Sequence, residues 1–332
     1  MSRSEFDEIA RLFAPISFGA PEALDLKDDA AIIPARPGFD LVVTKDAVVL
    51  GVHLVSDAAP EDFAAKLLRS NLSDLAAKGA KPDAAFLAIA WPSGTDDTYR
   101  ARFAAALKSD AERFGVRLFG GDTVTTPGPL TASLTLLGYV PSGTAVLRSG
   151  AQAGDIVLVT GEIGDGGLGL LTARGELDLG PAAETKLLSR YFRPEPRLDL
   201  AEALRRLASS AADVSDGLFA DAGHLASASG VHLEIDLGEI PVSAAARRWM
   251  AGRADQRSDR LWLASAGDDY EIVLTASEPH ALALQAEGQS LGLPITPIGR
   301  VRAGEGISVR DGEHDATPPR LGYDHLGEGE IR

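Results

Sequence analysis

The sequence predicts an α/β fold laid out as two units, and three observations carry that expectation. Short apolar runs of strand length alternate with longer stretches whose apolar residues recur at helical spacing. A turn-rich segment from Pro141-Ser142-Gly143 to Gly154 interrupts the alternation, and a fresh series of strands and helices starts after it. With 332 residues and 45% hydrophobic content, the chain can bury two cores. The boundary is therefore expected near residue 140, giving units of residues 1–140 and 141–332.

Ser4 and Asp7 fit a capping box, and Phe6, Ile9, Ala10 and Phe13 share a helical face, so the first unit opens with a short amphipathic helix. Leu41 to Thr44 reads as a strand, Pro60 to Lys78 as a helix closed by Gly79, and Ala84 to Trp91 as a buried strand. Thr95 is the expected cap of a helix that reaches Phe114 and stops at Gly115. Val116 to Phe119 reads as a short strand feeding Gly120-Gly121-Asp122-Thr123, and Thr131 to Val140 alternates like another. In the second unit Ile156 to Thr160 is a strand, and a glycine-rich turn leads from it into a helix. Further strands are expected at Val231 to Leu237, Tyr270 to Thr275 and Ile295 to Ile298, with helices between them. No internal repeat or low-complexity tract is visible.

Composition removes several function classes. A net charge of −16 opposes general binding to a nucleic-acid backbone or an anionic membrane, so an anionic substrate must be met by local cations. The absence of cysteine excludes disulfides, thiolate zinc sites, iron–sulfur clusters and cysteine nucleophiles, and points to the cytoplasm. Six histidines without HExxH or other close pairing give no zinc signal. The N-terminus lacks an apolar signal core, and no apolar run approaches the roughly 20 residues of a membrane span.

The chemistry lies in aspartates at the ends of apolar runs: Asp28 and Asp29, Asp46, Asp74, Asp122, Asp213 and Asp216. Two carboxylates 4 Å apart repel by about 4 kcal/mol at an effective dielectric near 20, so converging several requires cations or raised pKa values. Oxygen-only ligands favour magnesium, which keeps part of its valence for substrate phosphates and so points to phosphoryl transfer from a nucleotide.

Each motif also has a plainer reading. Asn71 and Asp74 share a helix face away from Leu68, Leu72 and Leu75, which suits either a solvated face or a ligand face. Asn71, Ser73 and Asp74 all cost helix propensity without an evident capping role, which favours the second. Gly120-Gly121-Asp122-Thr123 is either a turn or a place where backbone amides approach an anion beside a metal-binding aspartate. In Asp213-Val214-Ser215-Asp216-Gly217, Asp216 reads equally as a helix N-cap, whereas Asp213 ends an apolar stretch. Gly164-Asp165-Gly166-Gly167-Leu168-Gly169 matches the dinucleotide-binding glycine spacing, but Gly180-Pro181 and a second helical stretch follow where a parallel strand is required, so close packing is the expected role. There is no P-loop sequence and no Gly-x-Ser-x-Gly elbow.

Taken in order, these segments resemble the thiamine-monophosphate kinases, in the superfamily of aminoimidazole ribonucleotide synthetase. The resemblance runs nearly end to end, through Asp28-Asp29-Ala30-Ala31, Thr44-Lys45-Asp46, Gly51-Val52-His53, Asn71-Leu72-Ser73-Asp74, Gly120-Gly121-Asp122-Thr123, Arg148-Ser149-Gly150, Asp213 to Gly217, Gly267-Asp268-Asp269-Tyr270-Glu271 and Gly322-Tyr323-Asp324-His325. It implies a two-domain synthetase-like α/β (α+β) fold: an N-terminal mixed sheet with flanking helices that pairs in a homodimer, and a C-terminal α/β domain completing the cleft. It implies ATP-dependent phosphorylation of thiamine monophosphate to the diphosphate. It also implies several magnesium ions held by Asp29, Thr44, Lys45, Asp46, Asp74, Asp122, Asp213 and Asp216. Gly121, Asp122, Arg148 and Ser215 would contact ATP, while His53, Asp268 and Tyr323 would line the thiamine site. Asp74, Asp122, Arg148 and Asp216 would carry the catalysis.

Three positions depart from the family pattern: Lys27 stands where glycine is frequent, Lys45 where threonine is, and Asp268 where glutamate is. On a strand Lys45 points away from Thr44 and Asp46, so its metal contact would run through the backbone. Lys27 is expected to offset charge near the phosphates. Two other readings remain: a ligase of the aminoimidazole ribonucleotide synthetase type, and a calcium-stabilised binding module. Calcium loops gather their ligands within about a dozen residues, which these dispersed aspartates do not. Superfamily members that depend on cysteine or selenocysteine are excluded by composition.

Overall fold

In a computed structural model, which describes residues 5–322, the chain divides after Gly143 into two units. Residues Ala76–Gly79 pack with the second unit although they lie within the sequence of the first.

Helix α1 (Glu5–Glu8) continues into a wider π turn at Ile9–Phe13; the Ser4 half of the expected capping box lies outside the described residues. Strand β1 (Phe39–Val49), helix α2 (Pro60–Ala77), β2 (Lys81–Pro92), α3 (Asp97–Phe114), β3 (Arg117–Thr126) and β4 (Thr131–Pro141) follow. The strands form one mixed sheet in the order β1-β4-β2-β3, parallel only between β2 and β3. Leu68, Leu72 and Leu75 make the buried row of α2, as their helical spacing requires.

Two local expectations do not hold. The N-cap of α3 is Asp96, whose Oδ1 accepts from Tyr99 N at 2.7 Å, because the Thr95 hydroxyl is used by Pro92 O at the end of β2. Strand β3 does not stop at Phe119. It continues through Gly120-Gly121-Asp122-Thr123, which pair in parallel with Phe86, Leu87, Ala88 and Ile89 after a register shift between Ala85 and Phe86.

The second unit contains β5 (Ile156–Thr160), α4 (Asp165–Ala173), α5 (Pro181–Phe192), α6 (Ala201–Leu207), β6 (Ser210–Asp213), α7 (Leu218–Ser229), β7 (His232–Asp236) and α8 (Ala244–Ala251). It ends with α9 (Gln256–Ser265), β8 (Ile272–Ala276), α10 (Glu278–Ser290), β9 (Ile295–Arg302), β10 (Gly306–Asp311) and β11 (His314–Asp315). Their sheet runs β11-β10-β7-β9-β5-β8-β6. All of β5 is buried because both faces are covered: Val157 and Val159 pack with Leu218, Phe219 and Leu225 of α7, while Ile156 and Leu158 pack with Leu204 of α6 and Leu284 of α10. Each such aliphatic side chain contributes about 1.5–3 kcal/mol by leaving water.

Candidate active site

In the first unit, β1 and α2 meet through polar groups. Alternation along β1 turns Thr44 and Asp46 to one face and Lys45 to the other, where its Nζ lies 3.4 Å from Thr135 Oγ1 of β4. Thr44 Oγ1 donates to Asp74 Oδ2 at 2.5 Å. Asn71 is fully buried and bridges the two elements: its Nδ2 donates to Leu67 O at 2.8 Å, and its Oδ1 accepts from Asp46 N at 3.1 Å. With Asn71 fully buried and Asp74 only partly exposed, the face they share is not a solvated one, and Ser73 on another side of α2 is buried as well. His53 Nδ1 accepts from Val49 N at 3.0 Å, which assigns the proton of the neutral ring to Nε2.

Asp29, Gly121 and Asp122 line one cleft of about 340 Å³, together with Asp28. Phe13, Phe86 and Phe119 supply its apolar wall, the last two meeting edge to face at 6.4 Å. Leu24, Asp25 and Leu26 enter the aspartate pair in left-handed backbone, at roughly 1–2 kcal/mol for each L-residue. Lys27 Nζ lies 3.7 Å from Asp25 Oδ2, and both side chains are about three-quarters exposed, so this pair adds little stability.

In the second unit, β6 ends at the buried Asp213, and Val214-Ser215-Asp216 turns into α7. Gly217, with φ of 114°, takes the N-cap position that the sequence offered equally to Asp216. The turn is held from behind by Asp221, whose Oδ2 accepts from Ser215 N at 3.0 Å and Asp216 N at 3.1 Å. Burial, then the charge of Asp216, pushes the Asp221 carboxyl up to about 7, and Arg148 is close enough to oppose the rise. Among the described residues, Asp216, Asp221 and His224 are the one trio of acidic or histidine side chains with ligand atoms all within 4.8 Å of one another. Asp29, Asp46, Asp74 and Asp122 form no such trio. Asp221 joins the site although the sequence motif assigns it no role; the acid in the first turn of α7 is its signal.

Two distant motifs are joined by backbone hydrogen bonds. Asp268 N donates to Ser215 O, Tyr270 N to Val214 O and Val214 N to Glu271 O, each at 2.8 Å. Gly166 packs against this segment so tightly that a Cβ would lie 2.5 Å from Asp268 C, and a Cβ on Gly169 would lie 2.4 Å from Leu187 O. The glycines around α4 thus serve close packing, as expected. Tyr323 lies outside the described residues.

Asp269 is 1% exposed and accepts from Gly164 N at 2.8 Å and Gly166 N at 3.0 Å. Burial pushes its carboxyl from 3.8 up to about 7, against the two amides and Arg190, while the neighbouring Asp165 charge adds to the rise. The folded chain therefore keeps a proton that the unfolded chain loses above its ordinary pKa, so this group costs stability as pH climbs through that window. The cost reaches up to about 4 kcal/mol above pH 7. Denaturant unfolding is expected to show wild type losing stability relative to Asp269→Asn between pH 4 and pH 8; a difference constant with pH would contradict the buried, protonated carboxyl.

Residues 27–140 match the AIR synthase related protein N-terminal domain and residues 152–312 its C-terminal domain. The chain is 49% identical over 322 residues to the thiamine-monophosphate kinase of Caulobacter vibrioides, covering 97% of this chain and 91% of that protein. It is 39% identical over 330 residues to that of Escherichia coli K12, covering 98% and 99%. The crystal structure of thiamine-monophosphate kinase from Stenotrophomonas maltophilia K279a superposes with a TM-score of 0.82 at 36% identity, over 95% of this chain and 99% of that one. A structure described as AaThiL complexed with AMPPCP and TMP gives 0.75 at 28% identity, over 95% and 98%. On these grounds the chain belongs to the thiamine-monophosphate kinase family, within the AIR synthase related proteins.

Proposed function

We propose that the chain transfers the γ-phosphoryl group of ATP in line onto the phosphate of thiamine monophosphate, with several magnesium ions bound by its aspartates. By family it is an ATP-dependent phosphotransferase acting on thiamine monophosphate. The observation that carries the finer reading is the Thr44, Asp46 and Asp74 group, where a buried asparagine and a threonine hydroxyl organise oxygen donors on two rigid elements.

Donor chemistry supports magnesium. Thr44, Asp46, Asp74, Asp29 and Asp122 offer only oxygen, as do Asp213 and Asp216, and Lys45 could add its carbonyl. Bound magnesium would supply positive charge between two polyanions and hold their oxygens in line. The chain's own side chains do the rest. Thr44 fixes the Asp74 carboxylate in one orientation, and the Arg148 guanidinium adds a cation near Asp221, the carboxyl that holds the Ser215 and Asp216 amides. Gly121 lets backbone approach the nucleotide in the cleft shared with Asp29 and Asp122.

No general base is required. A phosphate monoester with a second pKa near 6 is already mostly dianionic at neutral pH, so orientation and charge suppression provide the rate. Asp268 suits the cationic thiazolium ring, His53 offers an Nε2 donor, and Tyr323 is proposed from the sequence as an aromatic face. A homodimer through the N-terminal sheet is supported by β1, an edge strand whose Phe39, Leu41 and Val43 alternate on one face and are 50%, 49% and 55% exposed. A cytoplasmic enzyme fits the lack of cysteine, and among the described residues no helix is long and apolar enough to cross a membrane.

The test is phosphate transfer from ATP with magnesium, offered thiamine monophosphate and free thiamine separately, with products separated by chromatography. Thiamine diphosphate is expected from the monophosphate alone. Absence of product despite magnesium-dependent ATP binding would refute the reading in favour of a ligase of the aminoimidazole ribonucleotide synthetase type, and absence of ATP binding would favour a calcium-stabilised module.

A further inference from the structure

Glu271 is completely buried yet gathers two arginines. Arg190 Nη2 donates to its Oε1 at 2.7 Å, Arg197 Nε donates to its Oε2 at 2.7 Å, and a second Arg197 nitrogen also bonds Oε1. Thr160 Oγ1 completes the shell, donating to Oε2 at 2.7 Å. Arg190 additionally donates to Asp269 O at 3.0 Å. Two residues before Glu271, the Asp269 side chain is anchored on the amides that open α4. Buried ion pairs contribute little net stability over apolar groups of similar size, because desolvation offsets their attraction. Their geometric effect is the better explanation.

That effect falls on Asp268. Asp268 and Tyr270 hold φ of 63° and 51°, a left-handed backbone that L-residues adopt only when their surroundings over-determine it. From Gly267 to Glu271 every residue is buried except Asp268, which retains partial exposure. The anchors on either side of Tyr270, with the backbone bonds to Val214 and Ser215, fix the backbone from which that carboxylate projects.

We propose that Asp269 and Glu271, together with Arg190 and Arg197, are positioning residues that pin the left-handed turn and so present Asp268 to the cationic ring of the phosphate acceptor. The inference rests on the reading of Asp268 as an acceptor contact. It is tested by steady-state kinetics on Glu271→Gln, Asp268→Asn and the double variant, varying acceptor and ATP separately. Glutamine keeps the shape of Glu271 and removes the charge that gathers the guanidiniums. Asparagine tolerates the left-handed backbone, so Asp268→Asn removes charge without releasing the turn.

Glu271→Gln is expected to raise KM for thiamine monophosphate about tenfold or more, with a smaller change for ATP, since small displacements of a binding group cost this much. Added to Asp268→Asn, it is expected to raise KM no further, because it acts through Asp268. An unchanged acceptor KM, or an equal rise on both backgrounds, would overturn the proposal. Should circular dichroism show Glu271→Gln unfolded, Arg197→Lys, which keeps the charge and loses the fork, is judged by the same criteria. Wild-type protein that makes no thiamine diphosphate would refute the functional reading and this inference together. Active wild type with an unaffected Glu271→Gln would refute the inference alone.

Discussion

Asp74→Asn is expected to fold as the parent does and to lose at least about 100-fold in turnover, the scale seen when one preorganised electrostatic contact is removed. Asp74 is partly exposed at one side of α2, and its Oδ2 accepts from Thr44 Oγ1. An asparagine can keep that acceptor by turning its carbonyl oxygen to Thr44, so the bond between β1 and α2 survives. What disappears is the negative charge on the rest of the group, which is what a magnesium ligand requires. Thermal melting alongside the phosphate-transfer assay separates the two effects: an unchanged melt with lost turnover is the expected pair. Near-parental turnover would remove Asp74 from the site.

How far the sequence could be read depends on where each element finds its partners. The leucine row of α2 and the continuous apolar run of β5 are visible because burial writes itself into local spacing. The far half of β3 is invisible because Gly-Gly-Asp-Thr has no apolar side chains; parallel pairing with β2 holds it, and that pairing lies outside any local pattern. The two-residue β11 at the edge of the second sheet is too short to carry a period, although it pairs with its chain neighbour β10. Within the candidate site, Asn71 and Asp74 stood out because polar residues inside a helix are costly, although only the structure shows that Asn71 meets Asp46 N. The Glu271 clasp was not legible, since Arg190 and Arg197 precede it by 81 and 74 residues and meet it only through the fold. Asp216 is not the cap for a similar reason: Asp221 reaches back to hold the Ser215 and Asp216 amides in the turn before the helix, and Gly217 takes the N-cap position.

The largest loss of folded protein is expected from Gly121→Ala. Gly121 sits opposite Leu87 in the parallel β2–β3 pair, and a Cβ there would lie 1.9 Å from Leu87 O and 2.8 Å from Leu87 C. These are backbone atoms, so no rotamer change relieves the clash. Strand β2 cannot retreat, because Leu87 is also paired with Leu134 of β4 on its other side. Relief must come from β3 separating at Gly121 and Asp122, which would remove one side of the cleft and displace the Asp122 carboxylate. Overpacking normally costs about 1–3 kcal/mol, and a clash with fixed backbone belongs at or above the top of that range. Gly128→Ala is the control, since its Cβ would meet only Thr126 Oγ1 at 3.4 Å and should change stability by less than about 0.5 kcal/mol. Denaturant unfolding without nucleotide, followed by ATP titration of whatever remains folded, separates two roles for the same missing side chain. Lost stability without nucleotide shows that Gly121 is required for strand pairing, whereas parental stability with weakened ATP binding would leave only the approach of an anion to its amide.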